Sequence, residues 1–511
     1  MASPVRAVLV VVAATGLVVG ATQVEAPLRL GATPVTGQGG SDETAVGAGV
    51  GPVRSAVLAC PGPEQQGLPD PTVAEQPQSV TVTALTAPAS ALPDDVTLSA
   101  RTPGAVDGQA GPPEGAAGAV DLMPTARTAP VSTTTRAQTV DVDLAGPEGA
   151  VVRATGALAP GLAAAQWHLS LEEQRRGLSG TPCTLPAEES WLVAGGQQAG
   201  RLERLVLVNP GADATTAAVE VYGGAGRAEV VGGDAVVVPG GGRVVLLLDA
   251  LAPGQADPVV RVTSTGGPVS AFLGDRWLEG STDRGLALTT PTTEPALEHL
   301  VPGVRVAEGG STALRVAVPG TEQGVVQVRG LTDSGPMRLQ QDVTLVPAGR
   351  TQDIQVGGLP EGVHALEVSS DVPVVVAAGA STAPGADDVT DLAWSPAAGP
   401  LTGLAGLPLP ELPDRPPAVL QLVATETGSA EVTVVAPDGT ATVRQLTVER
   451  PGTVQTDLGD ATAVWVQPLT GRLAAAVVMS QADEAGDLLT VLTLRGLPLL
   501  RSVTAVAPAR P

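Results

Sequence analysis

A short alternating run, a turn with an arginine, and a second alternating run recur four times along the chain. The four copies begin VSTTTRAQTVDVDL, VVVPGGGRVVLLLDAL, VTLVPAGRTQDIQVGGL and LTVERPGTVQTDLGD, at Val131, Val236, Val343 and Leu446. Their arginines are Arg136, Arg243, Arg350 and Arg450, which are separated by 107 (243 − 136), 107 (350 − 243) and 100 (450 − 350) residues. Valine-rich alternation favours strands, and Pro or Gly between such runs favours reversals. The chain is therefore predicted to contain four copies of one β-rich unit.

Three consecutive glycines, Gly240 to Gly242, stand at the second of these turns. A phosphate-binding loop uses glycines so that backbone N–H groups can approach the anion, and it normally opens a helix. The matching turns of the other copies contain Ala-Gly or Arg-Pro-Gly, and valines at a period of two follow Arg243. We therefore predict that the glycines form a hairpin turn between paired strands, not an anion site.

Each copy offers about six or seven short strands in roughly 100 residues, as in an immunoglobulin-like domain. The predicted fold class is all-β, with tandem immunoglobulin-like or fibronectin-like β-sandwich repeats. A β-propeller with two blades per repeat is the alternative, because the strand count fits both architectures. The repeats are predicted at residues 53–190, 191–300, 301–400 and 401–511.

The first repeat is longer than the others. Pro-Gly turns in VLACPG, VLVNPG and VAVPG align three of the repeats, and Cys60 precedes Arg136 by 76 residues (136 − 60), whereas Asn209 precedes Arg243 by 34 (243 − 209). This alignment predicts an insertion of 42 residues (76 − 34) in the first repeat. Its Gly-, Pro- and Ala-rich part near residues 102–120 is predicted to be a disordered loop.

The N-terminus has the pattern of an export segment. Arg6 precedes an apolar run from Ala7 to Ala21, which is shorter than the roughly 20 residues of a spanning helix, and small residues suited to signal-peptidase cleavage follow. Residues 1–26 are predicted to be a signal peptide or signal-anchor, and residues 27–52 a flexible linker. The protein is therefore predicted to be extracytoplasmic, either secreted or anchored to the plasma membrane by its N-terminal segment.

The sequence contains two cysteines, Cys60 and Cys183. Disulfides form and persist in oxidising compartments outside the cytosol. A pair of cysteines in an exported chain is therefore predicted to form a disulfide.

Composition excludes several kinds of chemistry. The net charge of −24 opposes nucleic-acid binding, and the absence of lysine excludes a P-loop, a Schiff base and a Ser-Lys dyad. His168, His299 and His364 show no metal-ligand spacing, and GxSxG is absent. Asp94-Asp95 and Asp387-Asp388 with Asp391 have the oxygen ligands of calcium loops, but lack an EF-hand pattern. We predict no catalytic, cofactor-binding or metal-binding residue, and a protein that is not an enzyme.

Two alternatives remain open. The five tryptophans, if exposed and co-planar, would form the sugar-stacking platforms of a carbohydrate-binding module array; they are Trp167, Trp191, Trp277, Trp394 and Trp465. Core packing is the other use of such residues. A hydrolase with an unrecognised site would need one of the histidines beside an acid and a nucleophile.

The motifs VLACPG, LVLVNPG and VVVPGGGRVVLLLD, with a final strand through Val478-Met479-Ser480, resemble an actinobacterial exported family named domain of unknown function 5719. The resemblance covers nearly the whole chain after the signal segment. It implies an envelope protein often encoded near a large family 2 glycosyltransferase, and it transfers no functional residues. We therefore expect a non-catalytic cell-envelope scaffold or accessory factor. Its expected partners are other envelope proteins, including a membrane glycosyltransferase, or cell-wall polysaccharide.

Overall fold

The computed structural model describes residues 49–63, 79–94, 96, 118–126, 129–172, 176–385, 388–412 and 415–503. The predicted signal segment lies outside these residues, as do residues 27–48 of the predicted linker and 102–117 of the predicted disordered loop. The linker prediction is wrong at its end, because strand β1 (Gly49–Pro52) pairs with the last described strand, β34 (Leu500–Val503). Val120, at the end of the predicted loop, also begins a strand.

Between these strands, eight strand positions, which we letter a to h in chain order, recur in four groups. The first group is β2 (Ser55–Cys60), β3 (Val80–Thr86), β4 (Val120–Pro124), β5 (Val131–Thr133), β6 (Val140–Leu144), β7 (Ala150–Thr155), β8 (Leu162–Ser170) and β9 (Gly177–Pro182). The second is β10 (Glu189–Val193), β11 (Arg201–Val208), β12 (Thr215–Gly223), β13 (Gly226–Arg227) with β14 (Val236–Val238) at position d, β15 (Arg243–Leu247), β16 (Val259–Thr265), β17 (Ser270–Glu279) and β18 (Thr282–Thr289).

The third group is β19 (Ala296–Val306), β20 (Ser311–Ala317), β21 (Gly324–Thr332), β22 (Gly335–Val346), β23 (Thr351–Gln355), the long β24 (Gly362–Ser381) at positions f and g, and β25 (Leu392–Pro396). The fourth is β26 (Ala405–Pro408), β27 (Ala418–Ala424), β28 (Gly428–Val435), β29 (Ala441–Val448), β30 (Gly452–Asp457), β31 (Ala463–Thr470), β32 (Leu473–Gln481) and β33 (Leu488–Thr493). Helical structure among the described residues is confined to single turns, such as α1 (Leu248–Leu251) and the 3₁₀ turns Ala89–Ala91 and Gly156–Leu158.

Every group forms two antiparallel sheets with the same strand orders, a-f-c-d and e-b-g-h. In the third group β24 runs from one sheet into the other and joins them. The chain changes sheet at every connection except c to d and g to h, which are hairpins. This alternation confirms the predicted β-sandwich repeats. The β-propeller alternative is wrong for the described residues, because consecutive strands of a propeller blade would be neighbours in one sheet.

Each sandwich buries small aliphatic side chains between its two sheets. In the first, Val82 and Val142 of sheet e-b-g-h pack with Leu122 and Val152 of sheet a-f-c-d. The other three sandwiches have equivalent cores. Because the whole chain contains one Phe and one Tyr, these cores are built almost entirely from Val, Leu and Ala, as the composition predicts.

The sandwiches also pack on one another in a closed cycle. Sheet a-f-c-d of one sandwich covers the outer face of sheet e-b-g-h in the next: Val151 meets Phe272, Leu331 meets Val423, and Trp465 of the fourth sandwich meets Leu85 of the first. The second and third sandwiches share a cluster in the same way. The central part of sheet e-b-g-h is therefore buried on both faces, which explains the continuous apolar runs of its central strands.

Two sequence interpretations of the turns are wrong. The glycine-rich turn before Arg243 joins β14 and β15, which pair with β12 and β11 in different sheets, so it carries the chain between sheets and is not a hairpin. The turn after Cys60 follows position a, whereas the turns after Val208 and Ala317 follow position b. The alignment that predicted 42 extra residues therefore compared different strands; the long connections of the first sandwich are residues 61–79 and 87–119.

The predicted borders of the second and third repeats fall inside strands. Residue 191 lies within β10 and residue 301 within β19. Strand β10 pairs with β16 of the second sandwich, and strand β19 pairs with β24 of the third. Both strands therefore belong entirely to the later sandwich.

The structure confirms the disulfide between Cys60 and Cys183, which are 123 residues apart and have Cα atoms separated by 4.5 Å. Cys60 ends strand β2 and Cys183 directly follows β9, so the bond joins the two sheets of the first sandwich. Both cysteines are buried in its core. Among the described residues, no helix combines the length and the apolarity needed to cross a membrane.

Candidate binding cleft

A cleft of about 330 Å³ lies at the junction of the second and third sandwiches. Strands b, g and h of the second sandwich supply one wall, and the outer face of sheet e-b-g-h in the third supplies the floor. The side chains that line the cleft include Gln198, Arg201, Trp277, Arg284, Ser311, Ala313, Arg315, Asp353, Gln355, Ser381 and Trp394. Ala313 and Gly379 are cross-strand partners on this floor, and the Trp394 ring packs over Gly379.

The wall from the second sandwich is a stack of two arginines and a tryptophan. Arg201 and Trp277 are opposite one another on β11 and β17, and Arg284 follows on β18. The guanidinium carbons of Arg201 and Arg284 lie 5.6 and 5.9 Å from the centre of the Trp277 ring. Cation–π attraction in this geometry holds the indole between two charges.

A buried carboxylate, Asp275, ties this wall to the floor. It accepts hydrogen bonds from Arg201 (2.8 and 2.6 Å), from Trp394 Nε1 (2.7 Å) and from the backbone N–H of Gly195 (3.0 Å). Burial raises the pKa of Asp275, but Arg201 and the other donors outweigh burial and leave that pKa below its usual value. Because Trp394 belongs to the third sandwich, the carboxylate fixes the width of the cleft.

Arg315 makes the reciprocal link from the third sandwich. Its guanidinium binds Asp353 through two hydrogen bonds of 2.8 and 2.9 Å, and it reaches Asp257 (3.0 Å) and the carbonyl of Gly195 (2.9 Å) in the second sandwich. It also lies 4.9 Å from the centre of the Trp394 ring. The arginines of the cleft are thus paired with carboxylates, so the site carries little net charge.

Glu203 is a further acid behind the wall. Burial, together with the nearby charge of Asp275, raises the pKa of Glu203 to about 7, although its carboxylate accepts a hydrogen bond from the N–H of Gly196. Nothing in the local sequence RLERL distinguishes Glu203 from an exposed strand residue. Its burial arises only from the packing of the second sandwich.

The three histidines lie apart and each makes a hydrogen bond to the backbone. A ring nitrogen of each histidine is hydrogen-bonded to a backbone carbonyl oxygen at 2.7 to 2.8 Å: His168 to Ser79, His299 to Val374 and His364 to Pro360. Burial lowers the pKa of each imidazole. Within the described part of the chain, no three His, Cys, Asp or Glu side chains are placed to hold a metal ion.

Of the acidic residues considered for calcium, two are outside the described residues and one is a buried structural acid. Asp95 and Asp387 lie outside the described residues. Asp391 is fully buried, and its carboxylate accepts the backbone N–H groups of Leu178 and Leu489 (3.0 Å each) and Leu392 (2.9 Å), and that of Leu286. These four leucines lie on strand h of the four sandwiches, so Asp391 is a central structural acid.

The tryptophans do not form an exposed array. Trp167, Trp191, Trp394 and Trp465 are buried, and Trp277 is partly exposed in the cleft wall. Trp167, Trp394 and Trp465 each pack on a glycine of the neighbouring strand, Gly180, Gly379 and Gly406 respectively. Covering a cross-strand glycine is a structural use of an aromatic ring.

The fold and the cleft define a protein of tandem β-sandwich repeats with a charge-balanced cleft at one junction. The chain belongs to the Family of unknown function (DUF5719), which matches residues 131–459 and so more than half of the sequence. This confirms the resemblance found in the turn motifs. No curated protein matches the chain.

Solved structures offer weak likenesses. Thermotoga maritima 1070 is 16% identical over 21% of this chain and 96% of its own, with a TM-score of 0.19. The major pilin T3.2 of Streptococcus pyogenes is 8% identical over 61% of this chain and 99% of its own, with a TM-score of 0.12. A tetra-tandem repeat of a large adhesion protein is 12% identical over 76% and 92%, with a TM-score of 0.08. Scores this low carry no argument about this chain.

Proposed function

We propose that the protein is a non-catalytic, extracytoplasmic scaffold or accessory factor of the cell envelope. The observation that carries this proposal is the closed cycle of four sandwiches, in which buried side chains fasten each sandwich to its neighbour. Arg315 and Asp275 make such contacts at the second junction, and Gln421 binds the N–H of Gly303 (2.8 Å) and the carbonyl of Val363 (3.1 Å) at the third. A rigid body of this kind suits presentation of surfaces to partners.

The disulfide supports the proposed location, since such bonds persist outside the cytosol. To test this location, intact cells are denatured in the presence of a thiol-labelling reagent. Mass spectrometry then identifies the labelled cysteines. We expect Cys60 and Cys183 to be unlabelled in the wild type, while a Cys60→Ser variant exposes a single thiol at Cys183 after denaturation. Both cysteines labelled in freshly made wild-type protein would contradict an extracytoplasmic location.

Proposed partners are other envelope proteins, including a membrane glycosyltransferase, or cell-wall polysaccharide. Affinity capture of the tagged full chain from envelope extract, with mass spectrometry of the co-purifying proteins and sugar analysis of the eluate, tests this. We expect an envelope component to be enriched over a tagged, unrelated exported protein. Turnover of an envelope substrate by the purified chain alone would contradict the non-catalytic assignment.

Carbohydrate binding is a second candidate, which the cleft favours. The binding-module array is not favoured, because four of the five tryptophans are buried. One defined cleft, not a row of platforms, would then recognise the saccharide.

A further inference from the structure

We propose that the cleft between the second and third sandwiches binds a neutral, hydroxyl-rich ligand, namely a segment of a polysaccharide. This inference deepens the proposed function, since it names the ligand class of the envelope protein. It rests on three properties of the cleft: its shape, its charge balance and the hydrogen-bonding side chains that line it.

The shape allows a chain to lie on the floor. The volume of about 330 Å³ falls within the range of small-molecule sites, roughly 300–1,000 Å³. Ala313 adds only a methyl group to the floor, the Trp394 ring covers Gly379 beside it, and Trp277 and Gln355 also line the cleft. The walls belong to two different sandwiches, and Asp275 and Arg315 hold them at a fixed distance. A ligand therefore meets a preformed site, which lowers the entropic cost of binding.

The charge balance disfavours ionic ligands. Asp275 neutralises Arg201, Glu279 binds Arg284 at 2.7 Å, and Asp353 with Asp257 surrounds Arg315. A polyanion would find no free positive charge and would face the net charge of −24 on the chain. The same ion pairs engage the carboxylates, so a cation gains little there. A neutral ligand meets neither penalty.

The cleft presents both hydrogen-bond donors and acceptors. The Asp353 carboxylate accepts, and the Gln355 amide and the Ser311 and Ser381 hydroxyls both donate and accept; the two serine oxygens are 2.8 Å apart. Vicinal hydroxyls of a sugar match these groups, because each hydroxyl donates one hydrogen bond and accepts others. The partly exposed Trp277 borders these groups, with its indole held between Arg201 and Arg284.

Ala313→Leu tests the site, because the added side chain fills the floor without removing a polar contact. Its control is Val419→Leu, at the same place on strand b of the fourth sandwich; both residues precede a fully buried leucine, Leu314 and Leu420. Neutral glucan, galactan and mannan tetrasaccharides and a polygalacturonate tetrasaccharide are titrated into the full chain by calorimetry and tryptophan fluorescence.

We expect at least one neutral tetrasaccharide to bind saturably and to change tryptophan fluorescence. Ala313→Leu should weaken this binding at least tenfold, and Val419→Leu should leave it unchanged, with both variants melting near the wild-type temperature. No binding of any neutral probe, equal binding by Ala313→Leu, or tighter binding of the uronate would overturn the inference. If no neutral tetrasaccharide binds but the chain still captures envelope partners, only this inference is overturned and the proposed function stays in place.

Discussion

Tryptophan–glycine pairs show how single residues fix the sheets of this protein. A Cβ atom built on Gly406 would lie 1.9 and 2.0 Å from ring atoms of Trp465, and one on Gly180 would lie 2.4 Å from Trp167. Each glycine is the direct cross-strand partner of its tryptophan. The indole therefore fills the space that a side chain would need.

Gly406→Ala should destabilise the protein, because the methyl group would displace a fully buried Trp465. Overpacking of this kind costs roughly 1–3 kcal/mol. Urea unfolding measures the loss. Gly403→Ala is the control, since a Cβ there meets no atom within 4 Å; equal stabilities of the two variants would contradict the packing described here.

Arg315→Met should lower the free energy of unfolding more than Gly406→Ala does, because it leaves Asp353 and Asp257 without their buried partner. Removing one member of a buried ion pair costs roughly 3–5 kcal/mol. Arg338→Met is the matched control, since the Arg338 side chain is 83% exposed and its pair with Asp342 lies on the surface. An exposed pair of this kind contributes little to stability, because water and salt screen it. A free energy of unfolding that falls equally in both variants would show that Arg315 does not clamp the junction.

The strands illustrate which elements a sequence can reveal. Val219, Val221 and their neighbours on β12 alternate between buried and half-buried, so their period of two predicts a strand. The position of strand β2 in the sandwich is harder to predict from sequence. Its partner β7 lies some 90 residues further along the chain, and its motif VLACPG resembles the end of strand b. Pairing register depends on contacts distant in sequence, which local pattern does not contain.

The disulfide links strand β2 to the residue after β9 and closes a loop of 123 residues. In the chain-entropy description, such a crosslink stabilises the fold by about 5 kcal/mol. A Cys60→Ala, Cys183→Ala double variant should therefore unfold at lower urea concentration than the wild type. Wild type with reductant should match the variant, and an unchanged midpoint in both would contradict a stabilising bond.

At the scale of the whole molecule, the four sandwiches meet through strands β9, β18, β25 and β33. Asp391 lies where these strands converge, and one carboxylate accepts backbone N–H groups from all four sandwiches. The sequence did not predict this site or the binding cleft. Both depend on residues from different repeats, and their positions follow only from how the sandwiches pack in a cycle.

Asp391 should make stability depend on pH. Burial raises the pKa of its carboxyl from 3.8 to about 7, although four backbone N–H groups pull it down. Between these pH values the folded protein retains a proton that the unfolded chain has lost, so the stabilising contribution of the neutral acid falls as pH rises. The loss from pH 5 to pH 7 is roughly 3 kcal/mol, because each pH unit contributes about 1.4 kcal/mol.

Asp391→Asn removes this titration and keeps the shape of the side chain. Urea unfolding of both proteins from pH 5 to pH 8 isolates the Asp391 contribution, because the lowered pKa values of the histidines and the Arg276–Asp283 pair nearby are common to both. The stability of the wild type relative to the variant should fall as pH rises toward 7 and level off above it. Exposed Glu484→Gln should show no such trend. A wild-type minus Asp391→Asn difference that stays constant across this range would mean that the central carboxyl does not titrate there.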